Sequence, residues 1–287
     1  MDPQFTDTVL FESRLVRIGA FRCDRHHPQF RDTGPIQHDC FVFPRTAVVI
    51  EHEHELAIAA NPNVVTFYNR GQRYLRHAAS DEGDRCDWYG IDRQTVQDAV
   101  LACCPLKEER PFAWTKGTCD SQTYLRQRRI FQAARGGQAS ALAIEEEVVA
   151  LLDRVIRQAI DSVPRRVCHR HRKMVRDVET LLGTRFDQPL HLAEIATYVN
   201  ASVFHLCRTF RRITGLPMHG YLRQLRIRNG LERVCESHAP FAVIATDLGF
   251  AHHSHFTNAF HRAFQATPSN VRTQITSCEA HGWRSRC

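Results

Sequence analysis

The chain has 287 residues, 43% of them hydrophobic and 24% charged, and a net charge of +7. This length suggests about two domains of ordinary size, and the absence of any run of about 18 apolar residues argues against a bilayer-spanning helix. Met1 to Phe11 lack a basic start followed by an apolar stretch, and the eleven cysteines are irregularly spaced without a CxxC pair, so no export signal and no disulfide framework are expected and the protein reads as cytoplasmic.

The charge is unevenly placed. From Arg165 to Cys287 there are 18 Lys+Arg against 8 Asp+Glu, a balance of +10, which leaves 20 against 23, or −3, for the residues before them. Such asymmetry is the electrostatic footprint of a polyanion-binding module. Nearly all of the cations are arginine, whose guanidinium suits bidentate contact with phosphate or guanine.

To about Asp92 the chain reads as β-rich. Thr46 to Ile50, Val64 to Tyr68, Gln72 to Leu75 and Asp87 to Ile91 are short β-branched or aromatic segments. Turn clusters such as Asn61-Pro62-Asn63 and Asn69-Arg70-Gly71 punctuate them, the pattern of a sandwich or small barrel. His52-Glu53-His54-Glu55 and His77 invite comparison with a metal site. The surrounding spacing does not support one, so they are expected to be exposed residues of a charged turn, with no metal and no cofactor. In Gly83-Asp84-Arg85-Cys86-Asp87-Trp88, Cys86 is either a sensing thiol or a buried one at a strand start. No nucleophile elbow, phosphate loop or HExxH motif is present, so there is no catalytic residue to name and no enzyme is expected.

From Arg93 the hydrophobic period becomes helical. Arg93 to Cys104, Ser121 to Ala134 and Ala139 to Ser162 are expected helices, the last with Leu142, Val148, Leu152, Val155 and Ala159 on one face. Residues 1–118 are thus a β-rich domain, and 119–163 a helical segment that packs on it or also dimerises. Residues 164–173 are a basic linker, 174–275 a second, helical domain and 276–287 a tail.

Within the helical domain the sequence repeats itself. Leu192-Ala-Glu-Ile-Ala-Thr-Tyr-Val199 aligns with Phe241-Ala-Val-Ile-Ala-Thr-Asp-Leu248 at an offset of 49. Beyond a turn the offset becomes 50, where Leu206, Phe210 and Arg212 match Phe256, Phe260 and Arg262. Each unit reads as short helix, turn and second helix. Leu192, Ile195, Ala196 and Val199 form the stripe of the first, with Asn200 and Gly249 at the two turns and Ser202 as a helix cap. This is the pattern of a helix-turn-helix whose second helix enters the major groove. Met218 to Glu236 is expected to be a rigid connecting helix. Tyr221, Leu222, Leu225 and Val234 supply its apolar surface, and Arg223, Arg226, Arg228 and Arg233 its charge.

The last hundred or so residues resemble the AraC/XylS family of bacterial transcription regulators. The resemblance is carried by Leu192-Ala-Glu-Ile-Ala196, Ser202 to Gly215, Tyr221 to Arg226, Ile244 to Phe250, Phe256-Thr-Asn-Ala-Phe260 and Ala266-Thr-Pro-Ser269. It implies an α+β chain: an N-terminal cupin-like β-barrel with a helical tail, and a C-terminal all-α domain with two helix-turn-helix units. It also implies binding to double-stranded promoter DNA, contact with RNA polymerase, a small-molecule effector and a homodimer, and activation more commonly than repression.

By position in the motif, Phe204, Cys207 and Arg208 in the first unit and His253, Ser254 and Asn258 in the second are the base-reading candidates. Arg208 suits guanine and Asn258 adenine. Ser202, Arg211, Arg212, His261 and Arg262 are candidates for phosphate contact. Two features depart from the family. Gly230 stands where alanine is usual, which should soften the connector by about 1 kcal/mol. His252, His253 and His255 would add positive charge under mildly acidic conditions.

Overall fold

A computed structural model describes residues 4–104, 110–137, 139–162 and 167–281, with side chains as far as residue 275. The N-terminal strands are β1 (Phe5–Glu12), β2 (Val16–Cys23), β3 (Asp32–Thr33), β4 (Asp39–Pro44), β5 (Val48–His52), β6 (Ile58–Ala60), β7 (Val64–Tyr68), β8 (Tyr74–Ala78), β9 (Asp84–Ile91) and β10 (Lys116–Thr118). They form two antiparallel sheets, in the orders β1-β2-β9-β4-β7-β10 and β3-β8-β5-β6. The two face each other, since Val42 and Tyr68 of one share a core with Val48, Ile50 and Tyr74 of the other.

Among the described residues no ladder joins the sheets, so the domain is an open pair of sheets and not the closed barrel expected. The smaller sheet ends in β3, of two residues, and β6, of three. Strands this short offer too few backbone groups to close a barrel, and they also blunt the edges. The far edge of the larger sheet is covered by a helix. A Cβ on Gly117 of β10 would lie 2.7 Å from the Ala159 backbone, so only glycine lets the helix seat there.

Helices α1 (Arg93–Leu101), α2 (Ser121–Gly136) and α3 (Ala141–Ser162) follow. Asp92 and Asp120 cap the first two by accepting from Thr95 N and Thr123 N at 2.9 and 2.7 Å. The apolar face of α3 consists of Ile144, Val148, Leu151, Leu152, Val155, Ile156 and Ala159, all buried within the chain. Leu142, expected on that face, stands two residues before Ile144 and so about 160° around the helix from it, and is 65% exposed.

The C-terminal helices are α4 (His169–Thr184), α5 (Leu192–Tyr198), α6 (Val203–Thr214), α7 (Met218–Glu236), α8 (Phe241–Asp247), α9 (His253–Phe264) and α10 (Pro268–His281). The basic stretch 164–173 therefore already enters α4, with residues 163–166 outside the described ones. The tail 276–287 begins as the end of α10, and 282–287 lie outside the described residues. Among the described residues, no helix is long and apolar enough to cross a membrane.

Two cores serve these helices. Val175, Val178, Leu206, Phe210, Tyr221 and Leu225 close the first unit. Leu231, Val234, Phe256 and Phe260 of the second unit instead join Tyr124, Ile130 and Phe131 of α2 in one continuous core. The second unit is thus built against the N-terminal half, not beside it.

Candidate nucleic-acid interface

In the first unit, α5 buries Ile195 and Ala196, while Leu192 at its start is 45% exposed. Asn200 takes the turn with φ 49°, a left-handed conformation that asparagine tolerates. Ser202 then caps α6, accepting from His205 N at 3.2 Å. Leu206 and Phe210 anchor α6 at full burial, and Phe204 projects from its first turn at 75% exposure. Arg208, Arg211 and Arg212 are exposed along the helix, whereas Cys207 is half-buried and packs against the unit's core.

The second unit repeats the arrangement. Gly249 makes the turn with φ 74°, and a Cβ there would lie 2.5 Å from the carbonyl of Asp187. Helix α9 is seated by an edge-to-face series of rings, Phe250, Phe256, Phe260 and Phe264, with successive centroids 5.5, 5.6 and 4.7 Å apart. Opposite them His253, Ser254, Asn258, His261 and Arg262 are all exposed. Every proposed base or phosphate contact except Cys207 is therefore exposed on a helix or its cap, and both helices end on basic residues, Arg211 and Arg212 in α6 and His261 and Arg262 in α9.

Several arginines counted with the basic surface hold the fold instead. Arg226 donates to the carbonyls of Phe186, Gly249 and Gln188 at 2.6, 2.8 and 3.0 Å, tying the two units together. Arg233 pairs with Asp247 at 2.6 Å. The Arg272 guanidinium lies 4.1 Å from the centre of the Phe241 ring. Arg228, expected to supply surface charge, is fully buried. A linear sequence cannot distinguish an arginine that caps carbonyls from one that awaits phosphate, because both require the same guanidinium.

One neighbour of the interface escaped the sequence reading. His171, on the first turn of α4, accepts from Arg212 through its Nδ1 at 3.0 Å, and its ring lies 5.0 Å from that of His205, tilted by 54°. Desolvation first, then His205, Arg212 and Arg170, hold its pKa below the ordinary value, favouring the neutral ring that can accept from Arg212. Only its place in the basic stretch hinted at this.

Away from this face, a half-open cavity of about 360 Å³ lies between the two sheets, lined by Phe21, Val42, Ile50, Tyr68, Tyr74 and Trp88. Beside it Asp84 and Arg76 pair at 2.7 Å, and Arg76 lies over the Phe21 ring at 4.6 Å. Cys86 lines the same cavity. Cys86 is half-buried, and desolvation pushes its thiol well above the ordinary value, which disfavours the reactive thiolate. His52 is not the exposed turn residue expected. It is 1% exposed, on β5, with its ring 4.9 Å from Tyr68 and 6.0 Å from Tyr74. The period of two along a strand places it inward with Val48 and Ile50, while His54 two residues on has left the strand.

Two helix-turn-helix units with open cationic helices define a DNA-binding protein. A helix-turn-helix domain profile matches residues 195–274. The regulatory protein SoxS of Escherichia coli (strain K12) is 30% identical over 105 residues, which are 37% of this chain and 98% of that protein. The transcriptional regulator Rob of Salmonella typhimurium is 31% identical over 99 residues, 34% of each chain. Among solved structures, ToxT from Vibrio cholerae aligns over 95% of this chain and 98% of that one, at 12% identity and a TM-score of 0.36. The chain belongs to the AraC/XylS family and is an AraC-type helix-turn-helix transcriptional regulator.

Proposed function

We propose that this chain is an effector-responsive, sequence-specific regulator that binds promoter DNA with both units and acts as an activator through contact with RNA polymerase. The observation that carries the two-headed part is the matched pair of exposed helices: Phe204 and Arg208 on α6, anchored from behind by Leu206 and Phe210, and His253, Ser254 and Asn258 on α9, anchored by Phe256 and Phe260. Bases are read by these five, with Cys207 the weakest candidate because its thiol is half-turned into the core. Phosphates are met by Ser202, Arg211, Arg212, His261 and Arg262. Ser202 already accepts from a backbone N–H, which leaves its own hydroxyl proton for a phosphate oxygen.

The effector part rests on the cavity between the sheets. Its lining is mostly apolar and carries charge of both signs, Asp7 and Asp84 with Arg17, so the N-terminal cupin-like fold would receive a small neutral molecule there, and the chain would act as a homodimer. The test is selection of bound duplexes from a random library with the full chain, followed by transcription from a promoter bearing the selected site. Two recurrent half-elements, salt-sensitive affinity and increased transcription are expected. Equal affinity for selected and random duplexes would make the chain an architectural binder, and reduced transcription would make it a repressor.

A further inference from the structure

The connector α7 carries a polar stripe that faces the N-terminal half. Tyr221, Arg228, Glu232 and Glu236 recur at helical spacing, and each is held by the N-terminal half. At the start of α7, Asn61 Nδ2 donates to the Tyr221 hydroxyl at 3.0 Å, and Asn63 Nδ2 to the Tyr221 carbonyl at 2.9 Å. In the middle, the buried Arg228 donates to the carbonyl of Pro62 at 2.6 Å and to that of Cys119, while its guanidinium lies 5.4 Å from the Tyr124 ring.

At the end of α7 the contacts are ionic. Glu232 accepts from the Tyr124 hydroxyl at 2.8 Å and pairs with Arg45 at 2.7 Å and Arg128 at 3.1 Å. Glu236 pairs with Arg45 at 2.5 Å and Arg128 at 3.3 Å. Arg128 continues to Asp87 of β9 at 2.8 Å. Arg128 and Asp87 are fully buried and Glu232 is 7% exposed. Charges this deep tolerate no sliding, because removing one partner leaves another uncompensated out of water.

From Tyr221 to Glu236 the stripe covers sixteen residues, and its fifteen steps of about 1.5 Å make it about 22 Å long. Both units are built on that length: Tyr221 and Leu225 lie in the core of the first, and Leu231 and Val234 in the core of the second. We propose that the N-terminal half is a brace for α7, and that this stripe is a set of positioning residues that decides which separation of two DNA half-elements the chain accepts. The brace holds the connector at its start, middle and end, so it cannot bend to carry α6 and α9 to a different spacing. This rests on both units entering one duplex.

The experiment uses the full chain and the duplex selected with it, compared with the same duplex carrying one extra base pair between the half-elements. The wild type should lose about tenfold or more on insertion, the scale of a mismatched contact. The double variant Arg45→Met with Glu236→Gln removes one charge of each sign and is expected to fold. Its insertion penalty should fall to less than about threefold while its preference within each half-element is kept. Arg45→Lys, which retains the cation, should restore the penalty. Asn63→Ala with Tyr221→Phe loosens the other end and should act in the same direction if the ionic end proves indispensable for folding. A wild type indifferent to spacing would overturn the two-headed reading itself. A wild type that discriminates, with variants that keep the full penalty or lose affinity equally for both duplexes, would overturn the brace alone.

Discussion

Replacing Gly230 by alanine sets helix propensity against packing. Judged by propensity, alanine in a helix interior gains about 0.8–1 kcal/mol over glycine, and the connector should stiffen. In the structure, a Cβ at this position would lie 2.7 Å from Phe256 Cε2 and 3.1 Å from Leu248 Cδ1. Carbon atoms rest at about 3.5–4 Å, so one of these groups must move. Neither can do so freely, since Phe256 and Leu248 are fully buried and Phe256 is wedged edge-on between Phe250 and Phe260. Overpacking of this kind costs about 1–3 kcal/mol. After the propensity gain, Gly230→Ala should therefore lose up to about 2 kcal/mol. Urea unfolding of the full chain measures this as a lower midpoint at unchanged slope. Gly220→Ala is the internal control, because the nearest atom to its Cβ, Pro217 Cγ, is at an ordinary 3.4 Å, and it should hold or gain stability. A Gly230→Ala protein more stable than its parent would refute the claim that close approach, not tolerance of a soft connector, explains this glycine.

Three further outcomes follow from single side chains. Burial pushes the His52 imidazole down to about 4, while the unfolded chain titrates near 6.5. The folded form therefore binds fewer protons between these values, and stability that is complete above about pH 6.5 falls with acidification by about 3 kcal/mol by pH 4. His52→Leu should flatten that part of the profile in acid-unfolding measurements, and an unaltered profile would count against the buried neutral ring. Arg208→Ala should cost about 1–3 kcal/mol in binding and relax preference at one base. A uniform loss across all duplexes would instead assign Arg208 to phosphate. Arg226→Met, which abandons three carbonyls, should destabilise the fold by roughly 1.5–3 kcal/mol but leave the salt slope of DNA binding unchanged. A shallower slope would place Arg226 on the DNA.

The helices and the repeat were legible because their signals are local. A stripe at i, i+3, i+4 needs only one buried side, and the expected span Met218 to Glu236 coincides with α7. Asn200 and Gly249 stand at positive φ as their residue types imply. The same holds for Val64 to Tyr68, an unbroken run of β-branched and aromatic residues that became β7, buried along its whole length. Strands such as β1 and β2 were missed because their burial does not alternate cleanly, and β3, β6 and β10 because two or three residues carry no period.

What the sequence determined by itself is the DNA-reading half: its duplicated units, its anchors, its open cationic helices and its family. All of these depend on contacts between residues close in the chain, where spacing alone decides which side chains meet. Tertiary structure decided what partners each ambiguous group finds. It left the two sheets open, turned His52 inward, made Gly230 a packing requirement, and drew Arg228 and Glu232 off the surface into contact with Pro62 and Arg45. Those pairs are separated by more than a hundred residues, and a charge or a glycine carries no mark in the sequence of the distant neighbour that fixes its role.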